Sequence, residues 1–285
     1  MSNLKEIRSR ITSISSTMKI TSAMKMVSAA KLKKSQDRMS NIKPYSQALN
    51  ATIQNLLPNV NHSEIKLTKQ FSEKQKTLIV AITSNRGLCG GFNANIFKKA
   101  KELKNEDTEV LSIGKKSADL FSRNQYRVIK TENDILDNPG RLLSQKISQK
   151  IIDGFLAGKW SKVILIFNKF KNAATQIVES APILPIKIND IDVEENKSGK
   201  DYIFEPDKTS IINTLIPNQI HTQLFEAILN SIAAEHGARM TAMHKATDNA
   251  NELKQNLTLA YNRQRQAAIT NEILEIVAGA EALKG

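Results

Sequence analysis

The sequence predicts an α/β central domain, Rossmann-like with a mainly parallel sheet, plus a long antiparallel coiled coil formed by the N- and C-terminal helices. Three observations predict it. Helix breakers crowd into the middle: the first Pro is Pro44, the first Gly is Gly87, and beyond Pro217 only Gly237, Gly279 and Gly285 interrupt the chain. Both ends carry apolar residues at alternating steps of three and four, the spacing of a coiled-coil seam. The middle alternates short apolar runs with helical stretches, the sequence form of a parallel sheet covered on both faces.

The N-terminal helix is assigned to residues 1–57. Leu4, Ile7, Ile11, Ile14, Met18 and then Thr21 keep heptad spacing. A second apolar set, Ile20, Met24 and Val27 with small Ala23 and Ala30, predicts that the stripe continues at a shifted phase. The central domain is assigned to 74–206. Strands are expected at 77–82, 108–114, 126–130 and 162–168, with helices at 92–103, 115–124 and about 140–156. The stretch TQIVESAPILPIKI holds Pro182 and Pro185 and reads as an edge strand. NDIDVEEN and KSGK read as an exposed loop. The C-terminal helix is assigned to 207–285, with its regular part from Asn218. Its seam is expected at Leu253, Leu257, Ala260, Gln264, Ala267, Asn271 and Leu274. A helix this long outruns what a domain of this size covers, and its nearest partner is the other long helix.

The net charge of +13 points to an acidic partner. Ten of the basic residues lie in residues 1–43 against only Glu6 and Asp37, a net of +8. A basic helix can grip a phosphate backbone, so a coiled-coil nucleic-acid binder is one alternative, though no aromatic residues interleave and no helix-turn-helix signal is present. The lone Cys89 cannot form an internal disulfide. No apolar run reaches the roughly 18 residues of a membrane span. The start of the chain lacks the apolar core of a secretory signal, and no secretion is expected.

SNRGLCGG, residues 84–91, raises a second alternative, a nucleotide-binding α/β protein. The glycines at 87, 90 and 91 fit neither GxGxxG nor a P-loop. The plainer reading is a tight strand-to-helix turn with Gly at positive φ and Cys89 as a small buried hydrophobe. His236 and His244 sit eight apart with no HExxH, and the carboxylates of NDIDVEEN read as solvated. No catalytic, cofactor or metal site is expected. The last stretch, ITNEILEIVAGAEALKG, is apolar on most faces and lies beyond the reach of the first helix, which marks it as a binding tip.

These stretches resemble the gamma-subunit family of F-type ATP synthases, in its bacterial form. ITNEILEIVAGAEAL resembles the C-terminal signature of that family, and KITSAMKMVSAAKLKKSQDRM its N-terminal helix. SNRGLCGGFN, DYIFEPD and ARMTAMHKATDNA match internal landmarks in order, so the resemblance covers essentially the whole chain. It implies a non-catalytic rotor shaft on the cytoplasmic face of the bacterial inner membrane. The implied partners are three alpha and three beta subunits, an epsilon subunit and the c-ring; it implies no cofactor, no nucleic acid, and membrane contact only through the complex. By the same resemblance Met24 and Lys25 face the acidic lever of beta, although Lys25 is basic where some members are acidic. Arg265, Gln266 and Thr270 form a polar catch, Glu272 and Glu275 belong to the terminal signature, and Tyr202 and Glu205 face the c-ring. With no dithiol beside Cys89, the thiol-regulated chloroplast form is not expected. The lack of a transit segment ahead of NLKEIRSRI favours a bacterial chain.

Overall fold

The computed structural model describes residues 4–56, 65–68, 76–105, 107–186, 205 and 207–282. The chain divides into two compact units, Ala29–Arg239 and Met1–Ser28 with Met240–Gly285.

The larger unit is built on a five-stranded sheet in the order β3-β2-β1-β4-β5. Its strands are β1 (Lys76–Ile82), β2 (Thr108–Ile113), β3 (Arg127–Glu132), β4 (Trp160–Phe170) and β5 (Gln176–Leu184). β1 pairs parallel with β2 and β4, and β2 with β3. Only β5 runs antiparallel, at the edge, where its Pro182 removes no interior ladder bond. β1 is buried from Thr77 to Ile82 because both faces are covered. On one face, α2 (Phe92–Glu102) and α3 (Lys115–Arg123) enclose Ile79, Ala81, Ile96, Val110, Phe121 and Tyr126. The rings of Phe97, Phe121 and Tyr126 meet edge-on there at 5.1–6.0 Å. On the other face α5 (Arg141–Leu156) packs with parts of the two terminal helices, through Ile53, Leu78, Val80, Ile151, Leu165 and Leu224. The one-turn α4 (Asp134–Asp137) was not expected from the sequence.

The terminal helices are α1 (Leu4–Leu56, 53 residues) and α6 (Lys208–Ala282, 75 residues). Each contains a proline, Pro44 and Pro217. Neither proline ends its helix, and the regular part of α6, expected from Asn218, begins at Lys208. The packing into the core of Leu49 and Ile53 after Pro44, and of Ile212, Ile216, Ile220 and Leu224 around Pro217, holds the helices, outweighing the local cost of the missing N–H. Asp207 caps α6, its carboxylate accepting from the Ser210 amide at 2.8 Å and the Ser210 hydroxyl at 2.7 Å.

The pairing is antiparallel. Within the smaller unit Thr21 bonds Thr247 at 2.7 Å. Within the larger one Gln219 donates to Asn50 at 3.0 Å. In that larger unit Glu226, later on α6 than Gln219, bonds Ser46, earlier on α1 than Asn50, so the two helices run opposite ways. The α1 seam does not shift phase as expected. Its least exposed positions run Ile7, Ile11, Ile14, Met18, Thr21, Lys25, Ser28, Leu32 and Ser35, an unbroken heptad. Ile20, Met26 and Val27 are left 60%, 65% and 57% exposed. On α6 the covered positions are Met243, Thr247, Ala250, Lys254, Leu257, Tyr261 and Gln264. Leu257 and Gln264 match the expected seam, while Leu253, Ala260, Ala267, Asn271 and Leu274 face solvent. Among the described residues, no helix is long and apolar enough to cross a membrane.

Candidate functional site

In an open sheet of this kind a ligand normally binds where the strand order reverses, at the C-terminal ends of the strands. Here that point lies between β1 and β4, and the loop 84–91 leaves β1 directly into it. The chain fills the place itself. The first three amides of α3 are all taken: Lys115 N–H donates to Asn85 Oδ1, Lys116 N–H to the Ser84 carbonyl and Ser117 N–H to Thr83 Oγ1. These donors, at the end of the neighbouring strand β2, are therefore not free to cradle an anion. Cys89 and Phe92 pack with Ala234, Phe170 and Ala238. Buried Asn168, on β4, donates to the Phe92 carbonyl at 3.2 Å.

The loop is further held by α6. Arg239 donates to the carbonyls of Arg86 at 3.1 Å and Gly87 at 3.2 Å, and to Glu235 at 2.6 Å. Both side chains of that ion pair are about a tenth exposed, at 9% and 11%. Burial pushes the Glu235 carboxyl up despite the pull of Arg239. Burial also drives the His236 imidazole down to about 4, aided by Arg239 and Lys31, so it is neutral at physiological pH. Cys89 is 2% exposed, and burial raises its thiol against the opposing Ser84 hydrogen bond and Arg239 charge. A protonated, enclosed thiol is a packing group, as the sequence suggested. Of the three glycines only Gly90 has positive φ, at 60°, and Leu88 takes a φ of 64°.

Sequence reasoning missed Glu235 and Arg239. Their i,i+4 spacing was the available signal, but such a pair ordinarily reads as a solvated helix face.

The residues assigned by resemblance fall in separate places. Met24 and Lys25 are half-buried on α1, while Arg265, Gln266, Thr270, Glu272 and Glu275 are all exposed on α6. Thr270 turns its hydroxyl back to the Gln266 carbonyl at 2.9 Å. The two groups do not come together. The Thr21–Thr247 register sets Lys25 level with residues near 243, roughly 33 Å along α6 from Arg265 at ~1.5 Å per residue. Glu205 is exposed, and Tyr202 lies outside the described residues. From Arg265 to Ala282 every residue is exposed, including Ile269, Ile273, Leu274, Ile276 and Val277 at 48–66%.

Comparison with known proteins then decides the family. A family model described as ATP synthase matches residues 3–283. The ATP synthase gamma chain of Flavobacterium psychrophilum is 53% identical, over 100% of this chain and 100% of that protein.

The chain belongs to the ATP synthase gamma-chain family.

A solved central stalk with c-ring of the Tetrahymena thermophila mitochondrial ATP synthase matches with TM-score 0.61 at 26% identity, covering 80% of this chain and 99% of that one. The rotor of the Euglena gracilis mitochondrial ATP synthase matches in fold, with TM-score 0.66 at 20% identity over 93% of this chain and 98% of that one. Family membership replaces both alternatives, the nucleotide-binding α/β protein and the basic nucleic-acid binder. The reversal point of the sheet in this chain is a packed joint between loop 84–91 and α6.

Proposed function

We propose that this chain is the central rotor shaft of a proton-translocating F-type ATP synthase. It couples rotation of a membrane c-ring to conformational change in a ring of three alpha and three beta subunits. The observation that carries the reading is the last part of α6. A helix that exposes Ile269, Ile273, Leu274, Ile276 and Val277 together is unstable in water without a sleeve around it. A ring of partner subunits supplies one. Each orientation of an asymmetric shaft favours a different conformation at each catalytic site by making different contacts with it.

In this reading the chain carries torque and does no chemistry. Residues 1–57 and 207–285 serve as the shaft and 74–206 as the foot, which holds epsilon and rests on the c-ring through Tyr202 and Glu205. Met24 and Lys25 face the acidic lever of beta. Arg265, Gln266 and Thr270 act as the polar catch, with Glu272 and Glu275 in the same terminal segment. The complex sits on the cytoplasmic face of the bacterial inner membrane, and the chain touches the membrane only through it. The positive charge of the first helix meets an acidic protein surface. The test is to mix the purified chain with the alpha and beta subunits of the same genome, then measure assembly mass and ATP hydrolysis together. An assembly with three alpha, three beta and one copy of this chain, active only with all present, is expected. Assembly and full activity without this chain would refute the reading.

A further inference from the structure

Among the described residues, the β2–β3 half on the α5 side of the sheet forms a groove of about 730 Å3. Its floor is apolar and made by Leu111, Ile129, Ile147 and Ile151. Ile129 is 37% exposed and sits at a register shift, where the pairing passes from Val110↔Val128 to Leu111↔Lys130. The rim is cationic. At one end Lys76 and Arg127 both reach Glu109 Oε1, at 3.1 and 3.2 Å, while the Trp160 indole donates to Oε2 at 2.9 Å. Burial raises this carboxyl, but Trp160, Lys76 and Arg127 outweigh it and hold it below the usual range. At the other end Lys130 and Lys150 share the Glu132 carboxylate. Lys159 stands on the same rim. Each shared carboxylate leaves one positive charge uncompensated. With Asp107, Glu109 and Glu132 set against five cations, the groove carries a net charge of +2.

We propose that this groove docks an acidic amphipathic helix of a partner protein, laid over β2–β3 beside α5. The two cation clusters are separated by the β2 span from Glu109 to Ile113, the residue that pairs with Glu132, about 13 Å along the strand. Carboxylates roughly two helical turns apart match that span, and apolar residues between them at three- and four-residue spacing meet Ile129 and Ile147. A helix fits better than an added strand. The irregular register of β3 and its Arg127 and Lys130 blunt the edge against strand pairing. A small anion would satisfy the rim and leave the apolar floor open. The inference rests on the groove and does not use the rotor reading.

The test places a photo-crosslinking benzoylphenylalanine at Ile129 in the full chain, expressed in its own cells. Cells that carry the full-length variant chain are irradiated, and the crosslinked peptide is identified by mass spectrometry. The expected adduct is a peptide with carboxylates about two turns apart and apolar residues between them. Its yield should fall about five-fold or more in the Lys130→Gln, Lys150→Gln, Lys159→Gln triple variant, since three rim charges steer and hold the partner. These changes leave Lys76, Arg127, Glu109 and Trp160 in place, and Trp160 fluorescence checks that the fold is kept. An adduct to lipid alone, an adduct to a neutral or basic segment, no adduct, or a yield unchanged in the triple variant would overturn the proposal.

Discussion

Replacing Arg239 by Met tests how the loop at the sheet reversal is held. The substitution keeps most of the side-chain volume but removes the partner of Glu235 and the donors to the Arg86 and Gly87 carbonyls. Breaking a buried pair from one side costs about 3–5 kcal/mol, because the remaining charge is left unpaired. For a domain of this size that is a fall in Tm of about 6–20 °C. The pH dependence has a defined sign. Burial already raises the folded-state pKa of Glu235 above the ordinary carboxylate value. A raised carboxyl contributes stability that is fully present below about 4.5 and lost as pH rises through the folded value. Removing Arg239 raises that value further, so the deficit should be largest at neutral pH and shrink on acidification. Thermal unfolding followed by Trp160, the single tryptophan, reads the effect. The Glu235→Leu, Arg239→Met double variant should recover most of the loss, since an apolar pair leaves no buried charge. A single variant within about 1 kcal/mol of wild type, or a deficit that grows on acidification, would refute the argument.

Four further outcomes are expected. His236 has a folded value of about 4 against 6.5, so wild type should lose up to about 3 kcal/mol as pH falls from 6.5 to 4; urea midpoints across that range should be flatter in His236→Gln. In Gly154→Ala the new Cβ would lie 2.1 Å from the Trp160 ring, and overpacking of this kind costs about 1–3 kcal/mol, read as a lower urea midpoint with a red-shifted Trp160 emission. Arg265→Ala with Gln266→Ala, both exposed, should leave Tm within about 1–2 °C while lowering ATP-driven proton pumping in reconstituted vesicles. Deleting residues 270–285 should keep the thermal transition of the sheet domain, because the described part of that segment is exposed throughout; loss of the transition would count against the division into units.

The sheet was legible because parallel strands buried on both faces read as unbroken apolar runs, as β1 and β4 do. The prolines of TQIVESAPILPIKI marked the edge correctly. The α1 seam was legible only to Thr21. Beyond it the covered positions include Ser28, Ser35 and Ser46, whose polarity disguises them. Ser28 and Ser35 turn their hydroxyls back to the carbonyls of Met24 and Lys31, at 2.7 and 2.9 Å, which lets a small polar residue sit in a seam without an orphaned donor. The exposed Ile20, Met26 and Val27 supplied the misleading apolar pattern. Pro217 misled for a related reason, since tertiary packing outweighed a local breaker. In the loop, glycine spacing excluded known phosphate motifs. It could not reveal that Arg239, some 150 residues away in sequence, holds the loop's carbonyls.

The central claim is that this chain turns inside its partners. The most direct measurement attaches a bead through Leu142→Cys, a position 77% exposed, in a complex assembled with alpha and beta subunits fixed to glass. Native Cys89 is buried and should not compete for the label. On adding ATP, the account predicts one-directional rotation in steps of a third of a turn. Sustained ATP hydrolysis with the bead stationary would contradict it.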